Sequence, residues 1–350
     1  MTREELLALV AAGDVVSEAS CVGLDLSGLD LSGVVFERTD FSRAILRGAK
    51  LKESVFVQCN LGGADLSDAN LHLVQLQATS FEQAILRGAR LVTLQAHESA
   101  FVGADLSGAD LELAAFSSCD LRAAVFRQAH LAAAALVECD TRGLDLSETL
   151  VERTTIIGAD FTTCILEGTG FQQSVLLKCN LTGLDLRDRP LSLTSIMDSQ
   201  LTGCDLRGTD LRQCNFKGSD LVGAELDGAR APNVLFVDAK LADASLKKAN
   251  LHGAIFAGAD VSRADFTGSD MRQAILKGTT CRAAIFESVD LGEADLSHAD
   301  VSLANFTGAT LFRTKLHCIT EDRTVFGPTR AAALGTDEEL ARAERFEPKY

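Results

Sequence analysis

The 350-residue chain has no tryptophan, a single tyrosine and four prolines, yet it contains 18 phenylalanines and 28 glycines. A globular core ordinarily mixes its aromatic residues, so the reuse of one aromatic type indicates a repetitive core. Positive charge is also scarce, because 33 Lys and Arg accompany 49 Asp and Glu, for a net charge of −16. Contact with nucleic-acid phosphates requires clustered basic residues, so this composition argues against direct nucleic-acid binding.

Long apolar runs are missing as well. Residues 1–13 carry charges at Arg3, Glu4 and Glu5, unlike a secretory signal peptide, and no segment reaches the length of a membrane span. We therefore expect a cytoplasmic protein without a membrane span.

A five-residue period runs through most of the chain. Of the 59 positions taken every fifth residue from Leu26 to Leu316, 49 are Leu or Phe, and the frame never slips. The residue two before this centre is small, as at Ala64, and the residue one before it is commonly Asp or Asn, as at Asp65. Two residues after the centre lie 22 of the glycines, for example Gly108. The unit is therefore small–Asp/Asn–Leu/Phe–polar–Gly.

The unit predicts a short extended side followed by a corner. In an extended segment successive side chains point to opposite faces, so the small residue and the Leu/Phe point inward while the Asp/Asn points outward. The polar–Gly pair that follows is typical of a turn. Neither a period of 3.6 nor a plain period of 2 fits the sequence, which excludes helix bundles and β-sandwiches.

These repeats resemble the A(D/N)LXX motif of the pentapeptide-repeat family, most clearly in the segment ADLSD at 64–68. The resemblance extends over about five-sixths of the chain. It implies an all-β fold, a right-handed quadrilateral β-helix of about 15 coils with short N- and C-terminal capping helices. The predicted divisions are 1–23 for the N-terminal helix and lead-in, 24–318 for the β-helix, and 319–350 for the C-terminal cap.

Two capping boxes mark the ends of the chain. Thr2-x-x-Glu5 predicts a helix through Ala12, and Thr336-x-x-Glu339 predicts a second helix. Both helices are interpreted as lids over the end coils, and the C-terminal one alternatively as the contact of a homodimer, as in some members of the family. The candidate contacts at helical spacing are Leu340, Ala343 and Phe346.

Two segments depart from the motif, Arg187–Pro190 and Ala231–Asn233. Arg189 occupies a position that is otherwise small and inward-facing. We expect a bulge or local distortion at each segment, with the five-residue frame preserved, and binding loops are the alternative.

The residues that usually carry chemistry follow the repeat instead. Seven of the ten cysteines occupy the small inward position and Cys281 a centre, without any CxxC pair, so we interpret them as buried structural residues. The six histidines fall outside both inward positions, and His97 and His317 share a face but lie about 11 coils apart. The sequence has no phosphate loop, nucleophile elbow or zinc signature. We therefore expect no enzymatic activity, no cofactor and no bound metal.

Function is then expected on the outer faces, where residues 20 apart stack. One face is interpreted as an acidic ladder that either solvates the surface or mimics phosphates, and another as an aliphatic row that either favours extended backbone or docks a partner. A third face alternates acidic and aliphatic residues with a 40-residue period, which indicates duplication. The ladder comprises Asp120, Asp140 and Asp160, and the row comprises Leu235, Ile255 and Ile275.

Two functions remain open. The opening segments TREELLALVAAG and GLDLSGLDLSG are similar to those of pentapeptide-repeat proteins associated with bacterial type VI secretion, which implies an adaptor for spike or effector proteins. The acidic composition is similar to the quinolone-resistance members of the family, which implies a DNA mimic that binds DNA gyrase or topoisomerase IV. Mixed charges and uninterrupted coils count against the mimic. In both cases the partner is another protein.

Overall fold

The structure, a computed structural model, describes residues 1–346. It contains two compact units, Met1–Cys179 and Asn180–Tyr350, and each is a parallel β-solenoid. In both units the paired residues lie 20 apart in sequence, except for Lys315 and Leu334 in the last turn, and 20 is the coil length that the resemblance implied. The two units together contain about 16 turns.

In the first unit one side of nearly every coil forms a short strand. The strands are parallel and follow chain order, with Phe36 paired to Phe56 and Leu76 to Ala96. The middle residue of each three-residue strand is buried, and its two neighbours face outward. The elements are α1 (Arg3–Ala12), β1 (Val16–Ser17), β2 (Val35–Glu37), β3 (Val55–Val57), β4 (Gln75–Gln77), β5 (Gln95–His97), β6 (Ala115–Ser117), β7 (Ala135–Val137), β8 (Thr155–Ile157) and β9 (Val175–Leu177).

The second unit repeats the coil with fewer regular strands. Its sides are joined mainly by single parallel bridges, such as those between Asp220 and Lys240 and between Lys240 and Asp260. The elements are β10 (Ser195–Met197), β11 (Asn305–Phe306), β12 (Val325–Phe326), a 3-10 helix (Pro328–Ala332) and α2 (Glu338–Glu344).

The corner lies two residues after each centre and has a left-handed backbone. Every positive φ among the described residues falls in this phase of the repeat. Glycine adopts this conformation without a Cβ clash, which explains why most glycines of the chain occur there. Other residues adopt it as well, including Leu73 at 60° and Leu113 at 59°. For a residue with a side chain the cost is about 1–2 kcal/mol.

The Leu and Phe centres form the core, and the small inward residues complete it. The rings of Phe286 and Phe306 stack with centroids 4.7 Å apart, and those of Phe306 and Phe326 stack at 4.9 Å. Buried hydroxyls at the small position donate to a carbonyl of the preceding coil, as Thr149 Oγ1 does to Phe126 O at 2.7 Å. Because these hydroxyls are hydrogen-bonded, Ser and Thr are accepted in the core.

Coil pairing extends beyond both predicted boundaries. Val16 and Cys21 are fully buried and Val16 pairs with Phe36, so the first turn starts before residue 24. At the other end β12 pairs with β11, and Leu334 pairs with Lys315, past residue 318. Neither terminal turn carries the regular Leu/Phe series, so the five-residue period did not locate them.

The predicted N-terminal capping box is confirmed. The Glu5 backbone N–H donates to Thr2 Oγ1 at 3.2 Å, and the Thr2 N–H donates to Glu5 Oε2 at 2.8 Å. Gly13 ends α1 in the left-handed conformation, and Leu6 is buried. No helix among residues 1–346 is long and apolar enough to cross a membrane.

The predicted C-terminal capping box is wrong, because α2 begins one residue later. The cap is Asp337, whose Oδ1 accepts from the backbone N–H groups of Glu339 and Leu340 at 3.0 and 3.1 Å. Thr336 Oγ1 instead accepts from the Cys318 N–H at 3.2 Å. The hydroxyl is therefore used to attach the segment to the last coils.

Both irregular segments keep the five-residue frame, as expected. Asp188 and Asn233 adopt the ordinary corner with φ of 57° and 56°. The Asn233 N–H donates to His252 O at 2.9 Å, so the expected bulge is absent at Ala231–Asn233. At Pro190, which has no N–H, the series of parallel bridges is interrupted.

Candidate interaction surfaces

The aliphatic row lies where the period placed it. Parallel bridges join Leu235 to Ile255 and Ile255 to Ile275, so the three side chains stand on successive coils of one face. Leu235 and Ile255 are half-buried and Ile275 is exposed. Asn215 and Asp295 continue the row at its two ends. The result is an apolar strip, about 10 Å from first to last residue, that is bounded by polar side chains.

The acidic ladder is not an array of free carboxylates. Arg122 donates from Nε and Nη2 to the Asp120 carboxylate at 2.9 and 2.6 Å, and Arg142 pairs with Asp140 in the same way. Arg122 Nε also lies 3.7 Å from Asp140 Oδ2. The arginine hydrogen bonds lower the pKa of both carboxyls. The ladder therefore presents ion pairs to solvent.

The third member of the ladder has neutral partners. Asp160 Oδ1 accepts from the Thr162 backbone N–H at 3.0 Å and from its hydroxyl at 2.7 Å. A contact between Asp and the residue two positions later recurs around the coils, and Arg is a frequent occupant of that second position. Further Asp–Arg pairs of this kind are Asp185–Arg187, Asp205–Arg207, Asp210–Arg212 and Asp270–Arg272.

The alternating face covers its carboxylates with arginine. Arg47 pairs with Asp65 of the next coil, and Arg87 pairs with Asp105. The aspartate side chains are 15% and 20% exposed, whereas the arginines are 66% and 68% exposed. Around these pairs the exposed surface is guanidinium and aliphatic, and the ion pair recurs every second coil as far as Arg127–Asp145, whereas Asp185 at the end of the row is 58% exposed.

The first unit carries an uncharged surface, and its first outward row is the same 20-residue row that holds Leu235 in the second unit. From β3 to β9 the outward residues of the sheet include no Asp, Glu, Lys or Arg, although 23% of the chain is charged. We call it the uncharged sheet face. A groove of about 570 Å³ lies over β4 and β5, where Ala96 replaces the usual Leu or Phe. The signal was present in the sequence as two outer rows, each read at 20-residue intervals. These rows are Val55, Gln75, Gln95, Ala115, Ala135, Thr155 and Val175, and Val57, Gln77, His97, Ser117, Val137, Ile157 and Leu177.

His298, His317 and Glu344 meet at α2, which the sequence did not predict. His317, expected on an outer face, is 7% exposed. Glu344 Oε2 lies 3.1 Å from His317 Nε2 and 3.3 Å from His298 Nε2. The Asp337 N–H donates to His317 Nδ1 at 3.1 Å, so Nε2 carries the proton and donates to Glu344. That nitrogen then lacks a lone pair for a metal ion, and the cluster acts as an attachment for α2.

The candidate contacts on the C-terminal segment all lie on its surface. Leu340, Ala343 and Phe346 are exposed, Phe346 at 75%. The residue of α2 that is buried is Ala341. The three predicted residues therefore do not seal the end of the solenoid, and their role in a homodimer stays a prediction.

The cysteines are free thiols, and eight of the ten are buried. Burial raises the pKa of Cys204 to about 11 and that of Cys214 to about 12. Protonated, buried thiols are poor nucleophiles at neutral pH. Their positions agree with the structural interpretation.

The chain is similar to solved structures of several repeat proteins. HetL, a pentapeptide repeat protein involved in heterocyst differentiation regulation from the cyanobacterium Nostoc sp. strain PCC 7120, is 24% identical over 90% of this chain and 96% of its own, with a TM-score of 0.22. Full-length QnrB1, a plasmid-mediated fluoroquinolone resistance protein, is 16% identical over 62% and 93%, with a TM-score of 0.27. Rfr23 from the cyanobacterium Cyanothece 51142 is 21% identical over 44% and 90%, with a TM-score of 0.17. These TM-scores lie below 0.5, and no functional conclusion follows from them.

No curated protein matches the chain. The family model of pentapeptide repeats (8 copies) does match, over residues 19–56, 54–91, 196–234, 235–273 and 274–316. The matched segments cover more than half of the chain. They coincide with the 20-residue coil, the Leu/Phe core and the left-handed corners described above. The chain therefore belongs to the pentapeptide-repeat family.

Proposed function

We propose that the protein is a non-enzymatic scaffold that docks another protein on the strip formed by Leu235, Ile255 and Ile275. The observation that carries this proposal is the in-register row of three large aliphatic side chains on successive coils. Their spacing of about 4.8 Å per coil is close to the rise of about 4.5 Å over three residues of an α-helix. An amphipathic helix lying along the row would therefore contact all three residues.

The neighbouring row supports the same partner. Val237 and Ala257 lie beside Leu235 and Ile255, on the other side of their buried centres, and widen the apolar area. Lys217 and Lys277 occupy the two ends of this second row. A helix with an apolar centre and acidic residues towards its ends is thus the best match in chemistry and charge.

We extend the proposal to the loading of spike or effector proteins in bacterial type VI secretion. Its support is the similarity of the opening segments TREELLALVAAG and GLDLSGLDLSG, which form α1 and part of the first coils. A DNA mimic that binds DNA gyrase or topoisomerase IV is the alternative. The net charge of −16 favours the mimic. The pairing of Asp120 and Asp140 with arginines counts against it, because each guanidinium offsets the charge that imitates a phosphate.

A native pull-down from bacterial lysate, identified by mass spectrometry, tests the proposal. Tagged wild-type protein is compared with the strip variant Leu235→Asp/Ile255→Asp/Ile275→Asp. The matched control, Ile45→Asp/Ile85→Asp/Ile165→Asp, introduces the same charge on the exposed aliphatic residues of the alternating face.

The expected result is recovery of spike or effector proteins by the wild type and the control, with loss in the strip variant. Recovery of gyrase or topoisomerase IV that is unaffected by the strip variant would contradict the scaffold and support the mimic. Circular dichroism of all three proteins establishes that the coil is retained.

A further inference from the structure

We infer that the uncharged sheet face of the first unit binds the same face of a second copy of this chain. In this dimer the two-fold axis runs along β6, and the two solenoid axes are antiparallel. The inference goes beyond the proposed function, because it concerns the strands β3 to β9 of the first unit and a different partner.

The first argument is electrostatic. Each chain has a net charge of −16, so two copies repel one another at most orientations. The repulsion is least where the facing surfaces hold no ionised side chain and their charges lie at the rims. Fourteen outward positions from Val55 to Leu177 satisfy this condition. A face over about 29 Å of solenoid can therefore approach its own copy with charges only at its rim, where the Glu98 carboxylate accepts from Gln77 Nε2 at 3.2 Å.

The second argument is shape. The two-fold axis along β6 brings β5 opposite β7, β4 opposite β8, and β3 opposite β9. The groove over β4 and β5 is lined by Gln75, Gln77 and Gln95. It then receives Ile157 of the partner subunit, which projects from β8. The concave and the bulky halves of the face lie on opposite sides of β6, so one face complements its own rotated copy.

The third argument concerns the packing distance at the centre and the rim. At β6 the outward side chains are Ala115 and Ser117, which are small enough for two sheets to approach to about 10 Å. Leu73 and Leu113, each two residues before an outward residue of the sheet, are exposed in the left-handed corner conformation, which disfavours a large side chain. In the proposed dimer, contact with the second copy covers both residues.

The size of the face predicts a modest affinity. A sheet of seven three-residue strands with its rims buries on the order of 1,000 Å² in total, near the lower limit of specific interfaces. The dimer is therefore expected to dissociate on dilution.

Charge exchange at the two-fold axis tests the inference, because Ala115 faces Ala115 of the partner subunit. Sedimentation velocity over a wide concentration range is measured for wild type, Ala115→Asp, Ala115→Lys and an equimolar mixture of the two variants. Asp at this position should be accepted by the fold, since it is the usual residue before a centre, as at Asp105. The control is Ile85→Asp, an equally outward substitution on another face of the same unit.

The expected mass of the wild type rises from 37.2 kDa towards twice that value with concentration. Each single variant is expected to weaken the dimer at least about tenfold, the mixture to restore it, and Ile85→Asp and the strip variant to leave it unchanged. A wild type that stays at 37.2 kDa at every concentration overturns the inference. A dimer that resists both Ala115 variants, or that is lost in Phe346→Asp instead, overturns it too. Restoration by the mixture also shows that both variants fold.

Discussion

Arg122 donates its Nε and Nη2 hydrogens to the two carboxylate oxygens of Asp120, which lies two residues earlier on the same side of the coil. The outward Asp of the repeat is therefore also the anchor of its own corner, because the Arg122 backbone N–H donates to Asp120 Oδ1 as well. When Arg occupies the second position, the acid of the repeat is neutralised locally. The net charge of the chain consequently overstates the negative potential of these faces.

This pairing predicts a measurable titration. Arg122 lowers the pKa of Asp120, so the stability gained from the pair is present above the unfolded pKa of about 3.9 and is lost as the pH falls through the lower folded value. We expect Arg122→Gln to raise the Asp120 pKa towards its ordinary value, as followed by carboxyl-detected NMR. The pKa of Asp210, which has its own partner in Arg212, should not move. An unchanged pKa of Asp120 in the Arg122→Gln variant would refute the pairing.

Removing one ring from the aromatic stack should destabilise the second unit. Phe306 is fully buried between Phe286 and Phe326. We expect Phe306→Ala to cost about 3–5 kcal/mol, because the cavity adds to the lost burial. Urea unfolding followed by circular dichroism measures the change. The control Phe346→Ala removes an exposed ring, and we expect a change within about 0.5 kcal/mol. Equal effects in the two variants would be inconsistent with the stacked core.

The corner conformation predicts opposite effects for two reciprocal substitutions. Gly108 has φ of +66° with nothing near the place of a Cβ, so Gly108→Ala should cost about 1 kcal/mol from backbone strain alone. Ala123 has φ of +53° at the equivalent position of another corner, and Ala123→Gly should relieve the same strain. Thermal unfolding measures the melting temperature of both variants, which should fall for Gly108→Ala and rise for Ala123→Gly. Two shifts of the melting temperature in the same direction would show that the left-handed backbone does not set the preference for glycine.

The attachment of α2 through His317 can be tested by hydrogen exchange. His317 accepts from the Asp337 N–H and donates to Glu344, so one imidazole holds both ends of the helix. We expect His317→Ala to speed amide exchange in 338–344, measured by mass spectrometry, while α1 exchanges as in the wild type. His298→Ala, which removes the more exposed imidazole, should have the smaller effect. Unchanged protection of α2 in His317→Ala would place the attachment elsewhere.

The sequence allowed the fold to be predicted because the repeat is local. Each five-residue repeat contains its own centre, corner and outward Asp. The burial of Leu66 or the corner at Gly108 can therefore be predicted from neighbouring residues, without knowledge of distant contacts. The prediction was less accurate at the ends, where Val16 and Leu334 join the coils without the regular centre. It was wrong for the cap of α2, because Asp337 and Thr336 both fit a capping position and only their neighbours decide between them.

By itself, the sequence determined the coil length, the inward and outward positions and the stacking of Leu235, Ile255 and Ile275. These follow from a strict period acting on short extended segments. The tertiary structure decided which outward charges remain unpaired. Arg47 reaches Asp65 across the coils, and His317 is buried beside α2, whose cap Asp337 lies 20 residues further along the chain. Such contacts depend on side-chain reach between coils and on where the terminal segment folds back, and neither is encoded in a five-residue period.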